Sequence, residues 1–188
     1  NQVSNQRLRQ FPQLSGHCRK SRGDRQVNIE DRASIADLYE KVGNFDAVVN
    51  AAGDVAFAPL AALKPEDFEK SLKSKLMGQV NLVQLAFPHI NPKGSFTLVS
   101  GILSKEFIAA GSVASLVNRA VEGYAQSAAC ELPKELRINV VSPSLLKDSE
   151  TSYGTFFPGF IPVDGWRVAQ AYKRSVFGVQ TGQIFEVF

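Results

Sequence analysis

The side chains through which this chain could do chemistry are few, and most of them close a short apolar run. Residues 45–50 (FDAVVN) lead into Ala51-Ala52-Gly53, residues 95–100 (SFTLVS) end on Ser100, and residues 138–142 (INVVS) run into Pro143-Ser144. Small residues such as those at 51–53 let a nucleotide approach the backbone closely, and they equally suit an ordinary tight turn out of a strand. Metal chemistry has little to work with. The two histidines, His17 and His89, without a cluster of thiols make no zinc site. The two cysteines, Cys18 and Cys130, build no disulfide framework, so a reducing compartment, the cytoplasm, is expected.

For those stretches to meet, the apolar runs must be neighbouring strands. Their near-continuous apolar character suits strands buried on both faces of a parallel sheet, and residues 184–188 (IFEVF) supply a fourth. Helical patterns lie between them. One covers residues 34–42 after an entry at Asp31 or Ala33. A long one opens at Pro65, with Glu66, Asp67 and Glu69 near its positive end. Two more cover about residues 112–132 and 165–176. The later part of the long helix, residues 76–90, is apolar over a wide arc, which predicts packing beyond the sheet and a homo-oligomer. The alternation predicts right-handed crossovers and one α/β domain over residues 1–188, built on a doubly wound parallel sheet. Ligands of such sheets bind beyond the carboxyl ends of the strands, here residues 50–53, 100–104 and 142–150.

Composition narrows the class further. A chain of 188 residues, 44% hydrophobic and 21% charged, has the length and balance of one globular domain and excludes collagen, coiled coil and wholesale disorder. The longest uncharged stretch, residues 76–92, is shorter than the roughly 20 apolar residues of a spanning helix, so no membrane partner is expected. The net charge of +3 is uneven: the first 25 residues hold Arg7, Arg9, Arg19, Lys20, Arg22 and Arg25 against Asp24 alone. A nucleic-acid footprint would spread over a whole face, so nucleic acid is not an expected partner. The same Arg-rich start also fits a transit peptide. The one methionine is Met77, so further sequence upstream of Asn1 is expected.

Taken in order, the strand-end motifs resemble those of the short-chain dehydrogenase/reductase family. Asn50-Ala51-Ala52-Gly53 is similar to its Asn-Asn-Ala-Gly turn. Arg137 followed by Ile138-Asn139-Val140-Val141-Ser142-Pro143 resembles its Arg-x-Asn-x-Val-x-Pro-Gly strand, with Ser144 in place of the glycine. Ala120-Val121-Glu122-Gly123 and Glu131-Leu132 resemble its long helix, and Thr181-Gly182-Gln183 the entry to its last strand. The likeness covers roughly residues 19–188. It implies a Rossmann-like fold of a compact subgroup and an NADP or NAD cofactor held at Asn50, Ala51, Ala52, Gly53 and Pro143. Arg19-Lys20-Ser21-Arg22 falls beside the family's adenosine ribose; Arg19 and Ser21 there would favour a 2′-phosphate, hence NADP, or else form a solvated basic loop. Asn28, before Ile29, falls where the family has an Asp contacting adenine, and an amide still hydrogen-bonds there.

The sequence departs from that family twice. No glycine-rich phosphate loop precedes Arg19, so the first strand and loop are expected to be missing or upstream, and residues 1–18 to be divergent. The family's Tyr, which exchanges a proton with the substrate, and the Lys four residues on that lowers its pKa, fall on Ala114 and Asn118. Tyr124, ten residues further, is about 15 Å along the helix and cannot substitute. The family's Ser falls on Ser100 or Gly101, and its helix-borne Asn on Lys75. Lys75 therefore serves as proton donor or electrostatic stabiliser if burial lowers its pKa, or is a surface lysine beside Lys73. Tyr153 either replaces the lost acid or forms part of a lid.

Two functions follow from the resemblance. One is an NAD(P)(H)-dependent oxidoreductase acting on a small carbonyl or alcohol, with Ser100, Lys75 and Asn118 as catalytic residues. The other is a catalytically impaired nucleotide-binding or interaction protein on the same scaffold.

Overall fold

In a computed structural model of the chain, the structure describes residues 25–188. Arg19 and Ser21, and the readings made of residues 1–18, lie outside the described residues. Four strands, β1 (Phe45–Val49), β2 (Ile90–Val99), β3 (Arg137–Pro143) and β4 (Ile184–Val187), form one all-parallel sheet in the order β1-β2-β3-β4. Helix α1 (Arg32–Val42) precedes the first strand, and between the strands lie α2 (Pro65–Ser71), α3 (Gly78–Ala86), α4 (Ser112–Ala128), a short α5 (Glu150–Tyr153) and α6 (Gly165–Phe177).

Both faces of the sheet are covered, which is why its strands are apolar at nearly every position. On one face Phe96, Leu98, Ile138 and Val140 pack with Ile35, Leu38 and Tyr39 of α1, Leu82, Val83 and Ala86 of α3, and Val121 and Ala125 of α4. On the other, Val141, Phe185 and Val187 pack with Val168 and Tyr172 of α6. Neighbouring residues on a strand point to opposite faces, so Val140 and Val141 enter different cores. This is the doubly wound parallel sheet that the sequence predicts.

The helix starts follow local chemistry. Asp31 is the cap of α1, its carboxylate accepting from Ala33 N at 2.9 Å. Pro65 occupies the first turn of α2, where its missing N–H costs nothing, and Asp67 reaches back to Lys64 N at 2.9 Å. At the far end of the sheet, Arg137 donates to Ser175 O and Val176 O, both at 2.7 Å, and so ties β3 to the last turn of α6.

Three boundaries differ from the expectation. The helix expected to run to residue 90 stops at Ala86, because Pro88 has no N–H to continue it; His89 N bonds Ala86 O instead, and Ile90 becomes the rung opposite Phe45. β2 thus begins five residues before Ser95, through a segment that Lys93 enters with φ 64°. The long helix is interrupted by a π-helical turn over Leu72–Met77, where Gly78 N bonds Lys73 O five residues back. The helix expected over residues 112–132 ends at Ala128, and a looser turn leads to Pro133. The wide apolar arc is largely used within the chain: Val80, Leu82, Val83 and Ala86 are buried.

Phe96 lies at 0% exposure in the centre of the sheet. Phe96→Ala is expected to destabilise the fold by about 3–5 kcal/mol, read as a lower urea midpoint with an unchanged m-value.

Candidate functional site

The carboxyl ends of β1, β2 and β3 lie side by side, and the parallel ladder continues one step past them through Asn50 N to Thr97 O and Ser100 N to Val141 O. Beyond that step the strand-end polar groups need other partners. Gln79 of α3, wholly buried, supplies two of them: Val99 N donates to its Oε1 at 2.8 Å and its Nε2 donates to Val99 O at 2.9 Å. The same Nε2 donates to Lys75 O at 2.8 Å, so one amide joins the tip of β2 to the π-helical turn.

Asn50 shapes the exit from β1. Its Nδ2 donates to Ala52 O at 2.8 Å while its main-chain carbonyl accepts the buried Tyr172 hydroxyl, also at 2.8 Å. Burial pushes that phenol far above its usual range. Ser71 and Ser74 then fix the following loop, accepting from Ala56 N at 2.9 Å and Asp54 N at 3.1 Å. Gly53 (φ +132°) sits where an added Cβ would come within 2.9 Å of Lys75 Cα. Its lack of a side chain is required by the helix beneath. Ala51 is exposed and Ala52 half-buried, so the open side of the turn is at residue 51.

Lys75 is half-buried on the π-helical turn against this loop. Burial lowers its ammonium from the usual lysine value to about 8, opposed by attraction to Asp54.

A second group gathers at the ends of β2 and β3. Ser100 is 3% exposed, and its Oγ donates to Glu122 Oε1 at 2.7 Å. Asn118, one turn before Glu122 on α4, donates from Nδ2 to Gly101 O at 3.4 Å. Pro143 O lies 3.8 Å from where a Cβ on Gly101 would stand. Ala114, a further turn back, is buried against Ile102 and Leu103.

Above Ala114 the site is aromatic. Val55, Phe57, Ile108, Phe157 and Phe160 pack on that small cluster, and Phe57 meets Tyr153, Phe156 and Phe157 at centroid distances of 6.0, 5.6 and 6.5 Å. Tyr153 is thereby part of an apolar cap, and the structure puts its ring on Phe57. Asn28 and Ile29 stand apart from these groups. Asn28 Oδ1 accepts from Glu30 N at 3.0 Å, and Ile29 packs under Gly78 at the end of the π-helical turn.

The structure therefore brings Asn50, Ala51, Ala52 and Gly53 together with Lys75, and Ser100 together with Asn118 and Pro143. Gln79 links the two groups. Sequence reasoning missed Gln79 and Phe57, and it read Glu122 only as part of a motif. The available signal for Glu122 was its spacing: 114, 118 and 122 repeat at helical intervals on one face, and an acid closes that series.

A family model described as Enoyl-(Acyl carrier protein) reductase matches residues 4–175. Among curated proteins, the chain is 28% identical over 132 residues to the 3-oxoacyl-[acyl-carrier-protein] reductase FabG of Thermotoga maritima, covering 66% of this chain and 54% of that protein. It is likewise 28% identical over 124 residues to the short chain dehydrogenase mdpC of Emericella nidulans, covering 63% and 47%. The chain thus spans about half the length of the curated relatives it matches. Among solved structures, the protein lin1944 from Listeria innocua superposes with a TM-score of 0.84 at 46% identity, over 86% of this chain and 81% of that one. A small-chain dehydrogenase in complex with NADPH shares the fold, with a TM-score of 0.77 at 23% identity over 86% and 80% of the two chains.

Gly53→Ala forces a methyl against Lys75 at a backbone angle unfavourable to side chains. It is expected to cost more than about 1 kcal/mol, measured as a thermal midpoint lowered by several degrees.

Proposed function

The chain belongs to the short-chain dehydrogenase/reductase family, and from that premise we propose that it is an oxidoreductase moving a hydride between NAD(P)(H) and a small carbonyl or alcohol. The observation that supports this most directly is a row of three adjacent strand tips with Lys75 packed against the loop that leaves the first of them, its ammonium lowered by burial to about 8.

The strand tips suit the reacting end of a nicotinamide dinucleotide. Gly101 presents bare backbone there, and beside it Asn118 Oδ1 is a buried acceptor with no partner, suited to a ribose hydroxyl. Ala51, Ala52 and Gly53 border the cofactor along β1, Asn50 holds their turn, Pro143 borders the nicotinamide side, and Asn28 and Ile29 take the adenine end. Arg19 and Ser21 favour NADP over NAD through a 2′-phosphate, in line with the NADPH held by one fold neighbour. The bound dinucleotide supplies the hydride donor or acceptor.

The chain's own residues do the rest. In the reducing direction the ammonium of Lys75 stabilises negative charge on the substrate oxygen and donates its proton there. Desolvation that brings this group down to about 8 makes the donation easier than from an ordinary lysine. Ser100 orients the same oxygen, and Asn118 holds the ribose. The aromatic cap of Phe57, Phe157 and Phe160 excludes water and favours a substrate with an apolar body. Self-association completes the proposal; Met77 on the π-helical turn and Leu116 on α4, 43% and 45% exposed, are apolar residues that support it.

One observation favours a second reading. Ala114 is buried in an apolar cluster, and by the resemblance it and Asn118 take the places of the family's Tyr and Lys. A protein that binds the nucleotide without transferring hydride would have the same features.

Titration of the full chain with NADPH and NADH, followed by nicotinamide fluorescence and a carbonyl panel, separates the two. The oxidoreductase reading expects binding with turnover; binding without turnover selects the second, and no binding defeats both. Lys75→Met is expected to lower kcat on the order of 10²-fold or more. Because reduction uses the protonated amine, kcat for reduction should fall as pH rises through about 8, and kcat for oxidation should rise over the same interval. A gel-filtration profile of a clean monomer would remove the oligomer from the proposal.

A further inference from the structure

Glu122 is the only acidic side chain fully buried among the described residues, at 2% exposure. Its Oε1 accepts from Ser100 Oγ at 2.7 Å, and its Oε2 has no hydrogen-bond partner. Its surroundings repeat the pattern. Asn118 Oδ1, one turn away on the same helix face, and Ser142 Oγ, on the neighbouring strand tip, are also buried without partners. Strand alternation explains the gathering. Ser100 points to the same face as Leu98, and Ser142 to the same face as Val140, and that is the face α4 covers.

Stability does not account for this arrangement. A buried carboxylate oxygen without a donor destabilises the fold, and an apolar residue of similar volume in a face made of Val117, Val121 and Ala125 would pack without that cost. An acid kept in such a place, with a hydroxyl at the reacting end of the sheet as its only hydrogen-bond partner, is an acid suited to proton exchange.

We propose that Glu122 is a positioning residue that holds Ser100 Oγ and exchanges protons with it, taking over through the serine a task for which Ala114 has no group. This rests on the oxidoreductase reading given above. In reduction the carbonyl carbon gains hydride from the reduced nicotinamide and the C=O π pair moves onto oxygen. That oxygen takes a proton from Ser100 Oγ, and Oγ recovers one from the carboxyl of Glu122, which is replenished from water. Oxidation runs the same path backwards. On this path the single proton comes from Ser100 Oγ, and Lys75 contributes charge stabilisation in either direction in place of the donation given above.

The test uses the full chain and the variants Glu122→Gln, Glu122→Asp and Ser100→Ala. Glu122→Gln keeps the shape and the hydrogen bond but carries no exchangeable carboxyl proton. It is expected to lower kcat by about 100-fold while KM and NADPH affinity, read by fluorescence, change less than about threefold. Glu122→Asp should recover part of the loss, and remains the informative variant if Glu122→Gln does not fold. The double variant Glu122→Gln/Ser100→Ala should be no slower than the slower single variant, because the two act as a unit. In the cofactor-free chain, the infrared carboxyl band identified by its loss in Glu122→Gln should shift in Ser100→Ala. An unchanged kcat in Glu122→Gln, or NADPH affinity falling in step with kcat, overturns the proposal, as does a carboxyl band indifferent to Ser100→Ala. A wild-type chain that turns over no carbonyl fails at the oxidoreductase reading itself, and is told apart by that.

Discussion

Parallel strands end with their backbone N–H and C=O groups still aimed sideways, and something must meet them where the ladder stops. In this chain the demand falls at the tips of β1 and β2, and side chains answer it. Gln79 completes Val99, Asn50 closes on Ala52, and Ser71 and Ser74 receive the loop that leaves β1. Because three of these four residues lie on one long helix, the satisfaction of the sheet end and the placement of Lys75 are the same event. The helix is anchored by the polar groups it serves, and Lys75 rides on it.

The second consequence is a division of the site into a wet and a dry half. On the β1 side, Ala51 is exposed and Lys75 retains some contact with solvent. On the β3 side, Ser100, Asn118, Glu122 and Ser142 are buried where α4 meets the sheet, and the aromatic cap from Phe57 to Phe160 packs over Ala114. A charge formed at the boundary would be stabilised from the wet half and shielded from bulk water by the dry one. Electrostatic effects are stronger where water is excluded, so a lysine at such a boundary exerts more influence than one on an open surface.

Much of the fold was legible in the sequence, for physical reasons. Strands buried on both faces give unbroken runs such as INVVS, and Pro65 marks a helix start because its geometry suits only the first turn. The beginning of β2 was not legible, since Asn91-Pro92-Lys93-Gly94 has the composition of a turn while Ile90 is held by its pairing with Phe45. The π-helical turn left no compositional trace at all: it changes the register of a helix, not its residue types. In the site, the small turn 50–53 was legible, but its cause was only half so. Gly53 is glycine because Lys75 lies behind it. Gln79 and Glu122 are polar residues in buried positions, the places where an apolar pattern hides the residue that breaks it. Which tip each one meets depends on sheet register, which a single sequence does not display.

The π-helical turn over Leu72–Met77 also makes the length of this helix a constrained quantity. One residue fewer there would let ordinary i→i+4 bonding run from Pro65 to Ala86 and give a more regular rod. The turns on either side would keep their faces, because the wide turn holds one extra residue without rotating its flanks. Ser71 and Gln79 would stay on the β1 loop and on Val99, while Ser74 and Lys75, which lie inside the wide turn, would shift against Asp54 and Gly53. The extra residue is thus what sets Lys75 in its place, and its removal changes the site while sparing the frame.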